Sequence, residues 1–144
     1  MQAVTWGGAA LALDYALGSG APAGQYAALV AAVGQGRLRR FTRVGFRGAA
    51  DRPMRVWVQL RAPATGTRWV RSVVLDAQPR TVLVPFEEMT PVDGAPASIP
   101  LADVDSILFV VDTVNTPPGR RGTLWIDDVR LERAPTPAGV TSAR

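Results

Sequence analysis

Apolar residues recur at every second position through short segments of this chain, and clusters of Gly, Pro and Asp separate those segments. Period-two patterning places one side of an extended strand in a core and the other in water, whereas no helix can gather such residues on one face. The clearest case spans 55–61, where Val56, Val58 and Leu60 alternate with Arg55, Trp57, Gln59 and Arg61. Val44 and Phe46 alternate in the same way with Arg43, Gly45 and Arg47. So do Leu11, Leu13, Tyr15 and Leu17 with Ala10, Ala12, Asp14 and Ala16. Further strands are predicted over 24–33, 68–75, 80–85, 106–112 and 123–131, with turns over 50–53, 62–66, 76–79, 91–100 and 115–119. Within 123–131 the apolar parity changes between Leu124, Ile126 and Val129, Leu131, which predicts a β-bulge at Asp127 and Asp128. Short strands at this spacing, without the helical segments of βαβ units, predict an all-β sandwich or barrel.

A chain of 144 residues suits one domain. We expect it to span 1–133, with 134–144, rich in Pro, Ala and Thr, forming a flexible tail or linker. There is no Cys and no His, so thiol and imidazole chemistry, disulfides and the common zinc and haem ligands are excluded. All sixteen basic residues are Arg, which removes Schiff-base chemistry and the lysine of a phosphate-binding loop. The net charge of +4 permits an acidic partner, but twelve carboxylates are interleaved with the arginines and the longest basic runs are Arg39-Arg40 and Arg120-Arg121. Nucleic-acid binding is therefore not expected. No segment reads as membrane-inserting, and the first residues lack the basic start and apolar core of a signal peptide.

Several segments, in order, carry a family likeness: Tyr26-Ala-Ala-Leu29, Arg55-Val-Trp-Val-Gln-Leu-Arg61, Thr67-Arg-Trp69 with Val82-Leu-Val-Pro-Phe86, Ile107-Leu-Phe-Val-Val-Asp-Thr113 and Gly122-Thr-Leu-Trp-Ile-Asp-Asp-Val-Arg-Leu131. This order resembles the galactose-binding-like β-jelly rolls. It is similar to non-catalytic carbohydrate-binding modules and to the complex I intermediate-associated protein family. The resemblance implies a jelly roll of two antiparallel sheets, a concave sheet as binding surface, no catalysis, and an extracellular or periplasmic location within a longer polypeptide or complex. Such modules open with an additional strand, and little precedes Trp6 here, so that strand is expected to be missing or supplied by a partner.

Trp57 shares its parity with Arg55, Gln59 and Arg61. An indole among guanidinium and amide groups suits a sugar, the ring covering the C–H face of a pyranose while the polar groups meet its hydroxyls. The competing reading covers Trp57 with a loop such as 91–100 and makes it satellite core. Arg43 and Arg47 would extend the polar face from a neighbouring strand, and Trp125 would join it or seal a sheet end. Trp69 and Tyr15 are expected in the core, while Tyr26 is undecided. Asp127 and Asp128 form an adjacent acidic pair suited to a hard cation, and the resemblance implies a structural calcium near them. Alternatively, one caps the bulge and the other faces water or pairs with Arg130. Glu87-Glu88 is expected to start a short helical turn and not to form a hydrolytic pair. Two functions follow as expectations: a carbohydrate-binding module using Trp57 with its flanking residues, or an assembly module docking the same face onto a protein partner.

Overall fold

The computed structural model describes residues 3–6 (backbone only), 11–18, 26–112, 114–117 and 119–135. The described residues form ten strands: β1 (Ala3–Trp6), β2 (Leu11–Ala16), β3 (Tyr26–Ala32), β4 (Arg43–Ala50), β5 (Met54–Ala62), β6 (Thr67–Leu75), β7 (Arg80–Pro85), β8 (Thr90–Val92), β9 (Ser106–Asp112) and β10 (Arg121–Glu132). They make two five-stranded sheets in which every pairing is antiparallel. One sheet runs β1-β10-β4-β7, with β2 also on β10; the other runs β3-β9-β5-β6-β8. This is the predicted all-β sandwich of the jelly-roll kind.

The long β10 explains how two short strands share one edge. β2 pairs with its first half, from Arg121 to Ile126, and β1 with Val129 to Glu132, while β4 holds the opposite edge. Between them lies the predicted bulge, where the register to β4 shifts between Asp127 and Arg130 and Asp128 takes φ of 53°. Aspartate tolerates this left-handed conformation better than most residues. The opening strand, expected to be missing, is therefore present: β1 pairs with β10 from within the chain. β8 is a second addition, since it begins the segment at 91–100 read as a turn. It forms because Thr90 and Val92 pair with the outer edge of β6. The predicted tail lies outside the described residues beyond Pro135.

The inward parities meet between the sheets. Val44, Phe46 and Ala50 from β4 and Leu124, Ile126 and Leu131 from β10 face Val56, Val58 and Leu60 from β5, Trp69 and Leu75 from β6, and Ile107 and Phe109 from β9. All are buried. Phe46 and Phe109 meet edge to face across the interface, with centroids 4.9 Å apart at 69°. Gly48 lets the sheets approach, because a Cβ there would lie 2.9 Å from the Phe46 ring and 3.1 Å from Leu75. Tyr15 and Leu17 are buried as their stripe predicts, but Leu11 at its far end is 56% exposed. It pairs with Ile126 where β10 reaches its bulge. Glu87 and Glu88 lie in a short 3-10 turn, Phe86–Glu88, as expected.

Candidate functional site

Residues of opposite parity on β5 leave the core, and the register then dictates their neighbours. On the outer face of the β3-β9-β5-β6-β8 sheet, Ala28, Val110, Trp57 and Ser72 form one row across four strands. Val30, Leu108, Gln59, Val70 and Thr90 form the next. Ala32, Ser106, Arg61, Arg68 and Val92 form the last. Beyond Trp57, Tyr26 pairs with Asp112, and Arg55 with Val74. Trp57 thus stands outside the inter-sheet layer, half-buried among these neighbours, while Val56 and Val58 beside it are completely buried. The segment at 91–100 is tied to the other tryptophan of this sheet, Trp69, whose indole N–H donates to the Pro96 carbonyl at 2.7 Å.

A cleft of about 650 Å³ opens on this face, within the roughly 300–1,000 Å³ range of small-ligand sites. Its floor is apolar, from Ala28, Val30, Leu108 and Val110. Tyr26, 72% exposed, and Asp112 stand towards one end; Gln59, Arg61 and Arg68 supply donors towards the other. Asp112 is held by its own turn, its Oδ1 accepting the backbone N–H groups of Val114 at 3.1 Å and Asn115 at 3.3 Å. Arg55 donates to the Ser72 hydroxyl at 3.3 Å on the Trp57 side of the cleft. Trp57 itself lies one position from the floor, next to Val110. The arrangement offers an apolar channel with one aromatic ring, Tyr26, on its border and hydrogen-bonding groups at both ends.

The structure brings together Trp57, Arg55, Gln59 and Arg61 and separates the other expected contributors from them. Arg43 and Arg47 lie on β4 and Trp125 on β10, all in the opposite sheet and facing the other side of the sandwich. β4 pairs with β10 and β7 instead of β5, because the chain crosses between sheets after Ala50, so the two arginine-bearing strands are sequential without being neighbours. Trp125 is 40% exposed between Ala12 and Ala49. Arg68 and Asp112 are residues that sequence reasoning did not single out, and Tyr26, undecided there, joins them at the cleft. A signal for this face was present: Val30, Val70, Val74, Leu108 and Val110 put apolar side chains on the outward parity of three strands.

On the opposite sheet Arg43 joins a charge cluster. Its Nε donates to Glu132 at 2.8 Å, while Arg130 pairs with both Glu132 and Asp128. Asp127 accepts the backbone N–H of Asp128 at 2.7 Å and so caps the bulge. Both carboxylates are thereby engaged locally, and no group of three or more acidic residues placed to hold a cation occurs among the described residues. The bulge supplies two carboxylates towards the six to eight oxygens calcium takes. The hydrogen bond from Arg130, reinforced by Arg43, holds the Glu132 carboxyl below its ordinary value of 4.5. A depressed folded pKa means that its stabilisation is complete above the unfolded value and lost as pH falls through the folded one. The melting temperature is therefore expected to fall on acidification below about pH 4.5, and Glu132→Gln to flatten that acid limb while losing about 1–2 kcal/mol at neutral pH. Thermal unfolding of both proteins between neutral and acid pH checks this; parallel acid limbs would exclude Glu132 as their source.

No family model and no curated protein matches the sequence. Solved structures do. The chain is similar to the family 11 carbohydrate-binding module of the cellulosomal cellulase Lic26A-Cel5E of Clostridium thermocellum, with a TM-score of 0.60 and 16% identity over 96% of this chain and 91% of that one. A structure of the family 11 module from Clostridium thermocellum in complex with a β-1,3-1,4-mixed-linked tetrasaccharide gives 0.58 and 16%, over 92% and 88%. An exo-β-agarase gives 0.61 and 12%, covering 95% of this chain but 24% of the enzyme. The fold is thus a β-jelly roll of the kind found in carbohydrate-binding modules. Among the described residues, no helix is long and apolar enough to cross a membrane.

Proposed function

We propose that the protein is a non-catalytic carbohydrate-binding module that takes an oligo- or polysaccharide on the outer face of the β3-β9-β5-β6-β8 sheet. The observation that carries this reading is the cleft across these strands, with an apolar floor, Tyr26 towards one end and Gln59 and Arg61 towards the other. Sugars present both C–H faces and hydroxyls, so a binding surface needs aromatic or apolar area together with a few oriented donors and acceptors. Trp57 and Tyr26 supply rings, Gln59, Arg61 and Arg55 supply donors, and Asp112 accepts. Because β-strands and not loops carry most of these groups, little ordering entropy opposes binding. The fold's occurrence in a module solved with a bound tetrasaccharide supports the same class of ligand. A role beside a glycan-degrading enzyme outside the cell fits this reading.

Titration of the full chain with mixed-linked β-glucan and agarose oligosaccharides, followed by calorimetry and tryptophan fluorescence, tests it. Trp57→Ala and Tyr26→Ala are each expected to weaken binding about tenfold or more, the worth of a stacked ring. Trp125→Ala, on the opposite sheet, is expected to leave affinity unchanged. Loss of binding on Trp125→Ala instead of Trp57→Ala would place the site on the wrong sheet, and absence of binding across a broad glycan panel would end the reading.

A further inference from the structure

One end of the cleft holds more positive charge than its own fold requires. Arg61 on β5 and Arg68 on β6 are directly paired across the strands and both line the cleft. Like charges placed opposite one another in a sheet are destabilising. Arg68 has one carboxylate partner, the highly exposed Asp93 at 3.1 Å. Arg61 makes no ion pair among the described residues. Its neighbour on β9 is Ser106, whose hydroxyl donates to Asp105 at 2.6 Å, so this nearby carboxylate is engaged elsewhere. The Nε of Arg61 is moreover shut off from solvent and has no hydrogen-bond partner. A guanidinium at the cleft without a carboxylate partner is met best by an oxyanion, through charge-assisted and often bidentate hydrogen bonds.

Resting on the carbohydrate reading, we infer that the preferred glycan is acidic, with a uronate carboxylate or a sulfate ester held at the Arg61 and Arg68 end. The sugar rings then run over Leu108 and Val110 towards Tyr26. A neutral hydroxyl could accept from one N–H, but it would leave the Arg61 guanidinium, beside Arg68, without a countercharge. An anion at this end of the cleft supplies that countercharge.

The test compares matched pairs on the full chain: mixed-linked β-glucan oligosaccharides against the same oligosaccharides oxidised at C6 to glucuronates, and agarose oligosaccharides against their sulfated counterparts. In at least one pair the acidic member is expected to bind about tenfold more tightly at low ionic strength. That preference should shrink as salt is raised, and whichever pair shows it identifies carboxylate or sulfate. Arg61→Gln should bring the pair to parity, and Arg61→Lys should retain part of the difference. The wild-type comparison and its salt dependence need no variant, so the inference stays testable if Arg61→Gln folds poorly. Equal affinity for neutral and acidic members, equal loss of both on Arg61→Gln, or equally tight binding of polyglutamate would overturn it; the first two outcomes leave the carbohydrate reading intact. Failure of every probe, neutral ones included, would remove that reading and the inference with it.

Discussion

Replacing Trp69 by alanine is expected to cost about 3–5 kcal/mol of unfolding free energy, the range for emptying a large aromatic site in a core. The ring is completely buried, on the inward parity of β6 opposite Leu60. Its N–H also donates to the Pro96 carbonyl, so the same side chain fills the sandwich and ties down the segment after β8. Trp69→Phe keeps most of the apolar volume but strands that carbonyl, and should lose about 1–3 kcal/mol. Chemical denaturation gives both numbers. Trp57→Ala supplies the contrast, because its ring lies on the other face of the same sheet: stability should change by less than the Trp69 substitution while glycan affinity falls. A Trp69→Ala protein as stable as the wild type would contradict the buried placement.

Phe109→Ala is expected to be comparably severe, again about 3–5 kcal/mol. Phe109 belongs to β9, which lies between β3 and β5, and its edge-to-face contact with Phe46 of β4 joins the two sheets. Such aromatic pairs contribute about 0.5–1.5 kcal/mol beyond area burial. A double-mutant cycle of Phe46→Leu and Phe109→Leu should recover a coupling of that size. Coupling indistinguishable from zero would mean that the rings fill space independently. Because Leu108 and Val110, on either side of Phe109, form part of the cleft floor, the core contact also positions the proposed binding face.

Much of the fold was legible because period-two patterning and turn chemistry act locally. β7 and β9 coincide with their predicted spans, and the bulge at Asp127 and Asp128 appears where the apolar parity changes. β1 and β8 were not legible, since four- and three-residue strands carry too little pattern and form by pairing with distant edges. In the candidate site, the outward direction of Trp57, Arg55, Gln59 and Arg61 followed from the burial of Val56, Val58 and Leu60. The companions did not follow. Arg43 and Arg47 went to the other sheet, while Tyr26, Arg68 and Asp112 arrived through pairing partners that no local pattern names.

By itself, the sequence determined which side of each clear strand meets water, because alternation along an extended backbone admits two faces and only one of them is apolar enough to bury. It likewise excluded thiol, imidazole and lysine chemistry, since the side chains are absent. Only the tertiary structure decided which strands lie side by side, and therefore that Arg61 faces Arg68 and that Tyr26 stands near Asp112 at the cleft. The physical reason is that antiparallel pairing joins residues far apart in the chain, and its register is set by the whole sandwich closing over its core.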